Sequence, residues 1–311
     1  MMIRVVGTST TPIIAGVRVS EVPDGQLQAL DDERAFLDLS SWRKVGVSGI
    51  DAIRWLGDLL AADIAGLEPG VGRRSLLLTP TGRIRADVHV ARREHDLILL
   101  QPPEQPEHVG LALSSYVLSS DVSLADRTNE LAMFSIPGRA ASLVGASGAT
   151  APSSIGPGVD VLIGNGKPAW RFVQGCIAAG LEKAGGDALE VWRIRRGLAR
   201  MGVDFDSRSL PAEAGLDATI DYEKGCFLGQ EAVARVRNLG HPPRVLRHLH
   251  VSGSAGPGDP VFADGTAVGE LTSVADGDHE STVFARVRWD AAETPITLPD
   301  GRTLNDVPRV G

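Results

Sequence analysis

The segment Lys224-Gly225-Cys226-Phe227-Leu228-Gly229-Gln230-Glu231 is the part of this 311-residue chain whose residue types and spacing best suit chemistry. Cys226 is one of two cysteines and stands two positions after a lysine. A neighbouring cation favours the thiolate, the nucleophilic form, over a thiol whose ordinary pKa is about 8.5. Gly225 and Gly229 let the backbone turn sharply and come close to a ligand. Gln230 and Glu231 add an amide and a carboxylate at the expected start of a helix carrying Ala232, Val233 and Val236. The same residues are also compatible with a buried cysteine packed as a small hydrophobe, the usual state of a free thiol. Cys176 has no comparable setting and reads as structural. With no Cys-x-x-Cys pair, no metal site is expected from the cysteines, and His241, His248 and His250 lack a carboxylate or thiolate at ligand spacing. The chain contains no P-loop, no Gly-x-Gly-x-x-Gly after a strand and no Gly-x-Ser-x-Gly elbow.

Two further groups of charged residues could face a ligand. From Arg83 to Val90 a strand is expected after the Thr81-Gly82 turn. Its period of two sets Arg83, Arg85, Asp87 and His89 on one face and Ile84, Ala86, Val88 and Val90 on the other. In a pocket, Asp87 could act as a base or as the partner of a cationic amine, while Arg85 beside it would keep it ionised and blunt its basicity. On a solvated strand face it would do neither. A long helix is expected from Asp187 to about Met201, with Asp187 and Glu190 as its start signal and Val191, Ile194 and Leu198 as its buried stripe. Arg193, Arg196 and Arg200 then fall on a solvated face, and Arg195 lies at the stripe's edge, where a side chain can reach inward. Downstream, Arg235, Arg237, His241, Arg244, Arg247, His248 and His250 form a cationic stretch suited to polyglutamate or phosphate, although strand alternation separates Arg247 from His248 and His250.

These residues need a scaffold, and the pattern supplies one. Ala35–Leu39 and Arg43–Val47 read as strands. Ser48-Gly49-Ile50-Asp51 has the form of a capping box opening a helix through Ile53, Leu56, Leu59 and Leu60. Strands follow at Ser75–Leu78, Val122–Ala125 and Leu131–Ile136, with a helix at Glu107–Leu118 and a loop over 146–160, rich in Ala, Ser, Gly and Pro. This order predicts an α+β layer arrangement and not a doubly wound sheet. After His241-Pro242-Pro243 the segments become short strands, Val245–Val251, Ala267–Val274 and Thr282–Trp289, split by turns. In the last, Val283, Ala285, Val287 and Trp289 alternate with Thr282, Phe284, Arg286 and Arg288, so one face is expected to be buried in a small antiparallel barrel or sandwich.

The bulk numbers narrow the function classes. A hydrophobic content of 43% with 23% charged residues is that of a soluble globular protein. A formal charge of −8 argues against nucleic-acid or membrane-surface binding driven by overall charge. No apolar run approaches the roughly 20 residues of a membrane helix, and Met1–Thr10 does not read as a signal peptide. A reducing cytoplasm is the expected compartment.

The eight-residue segment resembles the signature of the YgfZ family, Lys-Gly-Cys-Phe/Tyr-x-Gly-Gln-Glu, at every fixed position. Arg193-Ile194 with Gly197, Leu210-Pro211-Ala212-Glu213-Ala214, Arg235 and Arg244 are similar to that family in order and spacing. Asp38, Gly49-Ile50-Asp51-Ala52, Asp63 and Gly82-Arg83-Ile84 resemble the first domain shared with the glycine-cleavage T-protein. The likeness covers nearly the whole chain, with little contribution from residues 140–185. It implies a T-protein-like ring of two α+β lobes over residues 1–243 and a C-terminal antiparallel β-barrel over 244–311, around a folate channel. It further implies binding of tetrahydrofolate or a derivative, contacts with iron–sulfur proteins or their assembly factors, and an influence on tRNA modification through such enzymes. Cys226 and Lys224 would carry the thiol chemistry, and Asp87, Arg195, Gln230, Glu231 and Arg235 would shape the folate site. Asp87 is the second position of an Asp-Asp pair whose first is here Ala86. Arg195 departs from the T-protein pattern Arg-x-Glu-x-Gly: it donates where the glutamate accepts. That weakens the alternative reading, a folate-dependent aminomethyl or methyl transferase, and leaves Arg195 to grip a carboxylate of the folate tail.

Overall fold

The computed structural model describes residues 16–308 apart from 24 and 145–147. The Met1–Thr10 segment therefore lies outside the described residues, as do 146 and 147 of the expected loop.

Two five-stranded sheets and a barrel make up the described chain. The first sheet runs in the order Gly72–Leu78, Ile84–Arg92, Leu97–Gln101, Arg43–Ser48, Ser123–Asp126, antiparallel throughout. Leu97–Gln101 is buried along its entire length, as a central strand covered on both faces must be. Helices Ala52–Leu59 and Val109–Ser114 cover one face through Trp55, Leu56, Leu59, Ala112 and Leu113. Ile98 and Leu100 point the other way, into a core shared with the second sheet.

That second sheet has the order Glu182–Ala184, Ala35–Asp38, Leu131–Pro137, Gly158–Gly164, Ala149–Thr150. Helix Lys167–Ala178 packs on it and buries Cys176 against Phe134 and Leu181. Burial pushes the Cys176 thiol up to about 11, which leaves it an unreactive core group.

Six antiparallel strands close the C-terminal barrel in the cyclic order Thr266–Ala275, Pro260–Ala263, Ile296–Thr297, Thr303–Asp306, Arg244–Ser252, Glu280–Arg288. Val283, Ala285 and Val287 fill its interior, as their alternation predicts. Phe284, on the opposite face of the same strand, is also buried, packing outward against Val191 and Ile194 of helix Gly186–Arg195. Strand Val17–Val19 adds in parallel to Thr266–Ala275 and ties the start of the described chain to the barrel. The result is the expected α+β arrangement of two lobes and a closed barrel.

Several local expectations are corrected. The capping box does not form: the Asp51 side chain accepts instead from the Asp121 backbone N–H at 2.8 Å, stitching the helix start to the neighbouring edge strand. The helix expected over 187–201 ends at Arg195 because Gly197, at φ +71°, turns the chain away. The 146–160 segment contains strand residues from Ala149 and Gly158, since sheet pairing supplies the regularity that its composition lacks.

Candidate functional site

A cavity of about 610 Å³ lies between the two lobes. Its walls come from Asp38–Trp42, the strand segment Asp87–His89 with Arg74, the loop Pro152–Gly156 and the helix residues Asp187, Glu190 and Arg193. Its size is that of a site for a drug-sized organic ligand.

Asp87 sits in this wall, 6% exposed. The partner that controls it is Arg74 and not Arg85. Arg74 donates bidentately, Nε to Oδ1 at 2.9 Å and Nη2 to Oδ2 at 2.6 Å. Arg85 pairs instead with Glu107. The Asp87 backbone is held by Gln105, whose side chain accepts from its N–H at 3.0 Å and donates to its carbonyl at 2.6 Å. The carboxylate is thus fixed with both oxygens engaged by Arg74, which suits it to binding better than to proton abstraction. Next to it, burial and the Arg74 guanidinium push His89 down to about 4. His89 is therefore neutral near pH 7, with the Pro152 backbone pulling weakly the other way.

The helix arginines need a correction. Arg193, expected on a solvated face, is 5% exposed. Its Nε donates to Glu190 at 2.8 Å, and its Nη1 donates to Asp204 at 2.9 Å and to the Leu198 carbonyl at 3.1 Å. Arg200 is half-buried and also donates to Glu190. Only Arg196 is exposed as expected, stacked over Trp192 at 4.5 Å. The buried carboxylates of Glu190 and Asp204 make this possible, because a paired guanidinium can be desolvated where a lone one cannot. Arg195 occupies the exposed last turn of the helix and is absent from the cavity wall. Arg74, Arg193 and Arg200 are the guanidiniums that line the cavity.

The signature lies elsewhere, at the start of helix Gln230–Leu239, and most of its identities have a structural cause. Lys224 Nζ donates to the Gly57, Leu60 and Ala62 carbonyls at 2.6, 2.6 and 2.9 Å. It clamps the end of helix Ala52–Leu59, whose last carbonyls lack intrahelical partners. Burial lowers its pKa against the opposing pull of Asp63, Asp221 and Asp58. Phe227 is buried beside Ile84 and Val233. Gly229 has φ +84°, and a Cβ there would stand 2.5 Å from the Thr79 carbonyl oxygen. Only glycine allows the helix to begin so close to the Thr79–Gly82 turn. Cys226 differs: it is a free, exposed thiol.

Gln230 is half-buried, while Glu231 and Arg235 are exposed. Glu231, Arg235 and Leu239 share one outward helix face at four-residue spacing. None of these residues lines the cavity. The strand Ile84–Arg92 links the two regions: Ile84 packs under the signature and Asp87 faces the cavity, three residues or about 10 Å further on. Of the site residues expected from sequence, the structure brings Asp87 to the cavity, gathers Lys224, Cys226, Gln230, Glu231 and Arg235 around the signature helix, and leaves Arg195 at neither. The remaining cationic stretch disperses too. Arg237 lies over Tyr222, His241 stacks on Trp289, and Arg247 pairs with Asp306.

Arg74, Glu190 and the buried state of His89 were not legible from the sequence. A signal for Arg74 was present in the hairpin about Thr79–Arg83, whose antiparallel register sets Arg74 opposite His89.

The loop Pro152–Gly156 that closes one side of the cavity is braced by Asp160, whose Oδ2 accepts from the Ser154 N–H at 2.6 Å. Asp160 is fully buried, and burial raises it to about 6. An unfolded aspartate titrates near 4. The native state therefore holds its proton more tightly, so stability is greatest below about pH 4 and falls as pH rises to about 6. The full cost of ionisation is about 3 kcal/mol. Asp160→Asn, which can still accept from Ser154, is expected to be more stable than the parent by about 1–2 kcal/mol at pH 7.5 and equal to it near pH 4. Urea unfolding at the two pH values measures this; an equal difference at both would refute it.

Residues 19–149 match the family model of the GCVT N-terminal domain. The chain has the fold of the glycine cleavage system aminomethyltransferase T from Bartonella henselae, with a TM-score of 0.77, 21% identity and coverage of 93% of this chain and 89% of that one. The family-model match and the relatives below support the T-protein-like superfamily, and the fold match gives the chain the α+β architecture of that fold. Similar proteins include a chloroplastic protein of Arabidopsis thaliana provisionally named a transferase, 24% identical over 91% of this chain and 72% of that protein. Aminomethyltransferases from Streptomyces coelicolor and Thermosynechococcus vestitus are 28% and 26% identical, each over 79% of this chain and 76% and 74% of their own lengths. No helix among the described residues is long and apolar enough to cross a membrane.

Proposed function

We propose that this protein binds tetrahydrofolate or a derivative in the inter-lobe cavity and acts as an accessory protein in the cytoplasm. Its task would be the assembly or repair of iron–sulfur proteins, and through them it would influence tRNA modification. Cys226 is its working thiol. One observation carries the reading: within the signature, Lys224, Phe227 and Gly229 each have a structural task, whereas Cys226 is exposed and holds nothing together. Lys224 then serves the thiol by fixing the loop that presents it. Gln230, Glu231 and Arg235 give that loop a polar flank on which an iron–sulfur protein or assembly factor could rest.

The cavity residues fit a folate. The volume is adequate, and Asp87 and Glu190 supply acceptors for pterin N–H groups. Arg74 and Arg200 supply guanidiniums for the carboxylates of the tail. When bound, a folate contributes one-carbon chemistry at its reduced pterin ring. A second reading, a folate-dependent aminomethyl or methyl transferase, draws support from Asp87 lying in the cavity. The bidentate Arg74 pair weighs against it, because both carboxylate oxygens are already engaged.

The test compares wild type and Cys226→Ser in a strain lacking its own YgfZ-type protein, alongside tetrahydrofolate titration of both purified proteins. Cys226→Ser is expected to bind tetrahydrofolate within roughly twofold of wild type, since an exposed substitution changes stability and binding little. It is also expected to lose complementation. Normal complementation by Cys226→Ser would refute the thiol's role, and wild type that binds no tetrahydrofolate would refute the folate reading.

A further inference from the structure

We propose that the outer wall of the barrel carries a binding site for a phosphate-type oxyanion, built on the guanidiniums of Arg244, Arg288 and Arg286. These side chains line a surface pocket of about 310 Å³. Arg244 and Arg288 are direct partners in the antiparallel pairing of Arg244–Ser252 with Glu280–Arg288, so both leave the same face of the sheet. Arg286, two positions along, shares that face and stands opposite Glu270. Their neighbours Val245 and Val287 point into the barrel interior, so the arginines point outward.

The charge balance in this pocket calls for an anion. Like charges directly opposite one another on a sheet are destabilising, and the Arg244–Arg288 rung sets two guanidiniums directly opposite one another. Arg286 is paired with Glu270 at 2.7 Å and Arg288 with Asp290 at 2.9 Å. Arg244 has no ion pair or side-chain hydrogen bond among the described residues. Within the lining, three guanidiniums meet one carboxylate. Two further acids stand outside the lining: Asp206 pairs with Arg208 and also attracts Arg286, and Glu213 accepts from the Leu210 backbone N–H and also attracts Arg244. In a chain of net charge −8 this is a local inversion of sign.

At Gly269 a Cβ would stand 2.1 Å from the Arg286 carbonyl oxygen, so the strands meet with backbone only at that point. A phosphate oxyanion accepts bidentately from a planar guanidinium and would relieve the repulsion in the Arg244–Arg288 rung. The pocket is separated from the signature cysteine by helix Gln230–Leu239, about 15 Å long. It is distinct from the inter-lobe cavity, and its occupancy does not depend on folate binding.

The test uses the full chain with sodium pyrophosphate as probe, by calorimetric titration and thermal melting, against sodium chloride at matched ionic strength and a tri-glutamate peptide. Wild type is expected to bind pyrophosphate and to melt higher in it than in the chloride control. Arg244→Gln and Arg288→Gln are each expected to weaken that binding by roughly tenfold, the loss of one charge-assisted contact. In phosphate-free, low-salt buffer Arg244→Gln is expected to melt no lower than wild type, because it removes a repulsion. Equal responses to pyrophosphate and chloride, unchanged binding in both variants, or a lower melting temperature for Arg244→Gln without pyrophosphate would overturn the site. Equal affinity for tri-glutamate would overturn the phosphate class.

Discussion

Replacing Arg193 with methionine is expected to lower the melting temperature by about 5–10 °C. Arg193 is the hub of a buried network that joins helix Gly186–Arg195 to the barrel. It donates to Glu190, to Asp204, which is fully buried, and to Ser273 Oγ at 3.0 Å on the strand Thr266–Ala275. Asp204 also accepts from Thr272 Oγ1 at 2.8 Å, from Ser273 Oγ and from the Arg200 N–H at 2.9 Å. Removing the guanidinium leaves the fully buried Asp204 carboxylate without a countercharge and Glu190 with Arg200 as its remaining partner. Breaking a buried pair in this way costs about 3–5 kcal/mol, and in a chain of this size each kcal/mol is worth about 1.5–2 °C. The double variant Arg193→Met/Asp204→Leu is expected to recover part of the loss, because it removes the stranded charge as well. Thermal melting of both checks the argument. A double variant that melts well below Arg193→Met would show that the hydrogen bonds to Thr272 and Ser273, and not the charge, carry the stability.

The second large effect is on the ligand. Asp87→Ala is expected to weaken tetrahydrofolate binding by roughly 10–100-fold, the equivalent of one lost charged hydrogen bond of about 1.5–3 kcal/mol. It also leaves Arg74 without its partner in the cavity wall. Asp87→Asn separates the two causes: the amide keeps the shape and one acceptor but loses the charge. An Asn variant close to wild type and an Ala variant far below it would assign Asp87 a positioning role. If both equal wild type in a fluorescence titration, the folate does not use this wall.

The signature was legible because its constraints are local and specific. A lysine, two glycines and a helix start within eight residues leave few alternatives, and the helix Gln230–Leu239 begins at the expected Gln230-Glu231. Barrel strands were legible for a similar reason, since Val283, Ala285 and Val287 declare a buried face by period two alone. The arginines of helix Gly186–Arg195 were misjudged because periodicity treats every arginine as solvent-seeking. Glu190 and Asp204, three residues before and eleven after Arg193, are what allow it inside, and Asp204 reaches it only through the fold.

By itself, then, the sequence determined the kind of scaffold and the presence of a cysteine-bearing loop, because both are written in short-range patterns of apolar period, glycine and charge. Tertiary structure decided what each charged group faces. Arg74, brought beside Asp87 by a hairpin register, makes that carboxylate a fixed anion. Three backbone carbonyls near the end of a distant helix turn Lys224 into a clamp. Arg195, the last residue of its helix, is left in water. Charge pairing depends on distances across strands and between lobes, which no spacing along the chain encodes.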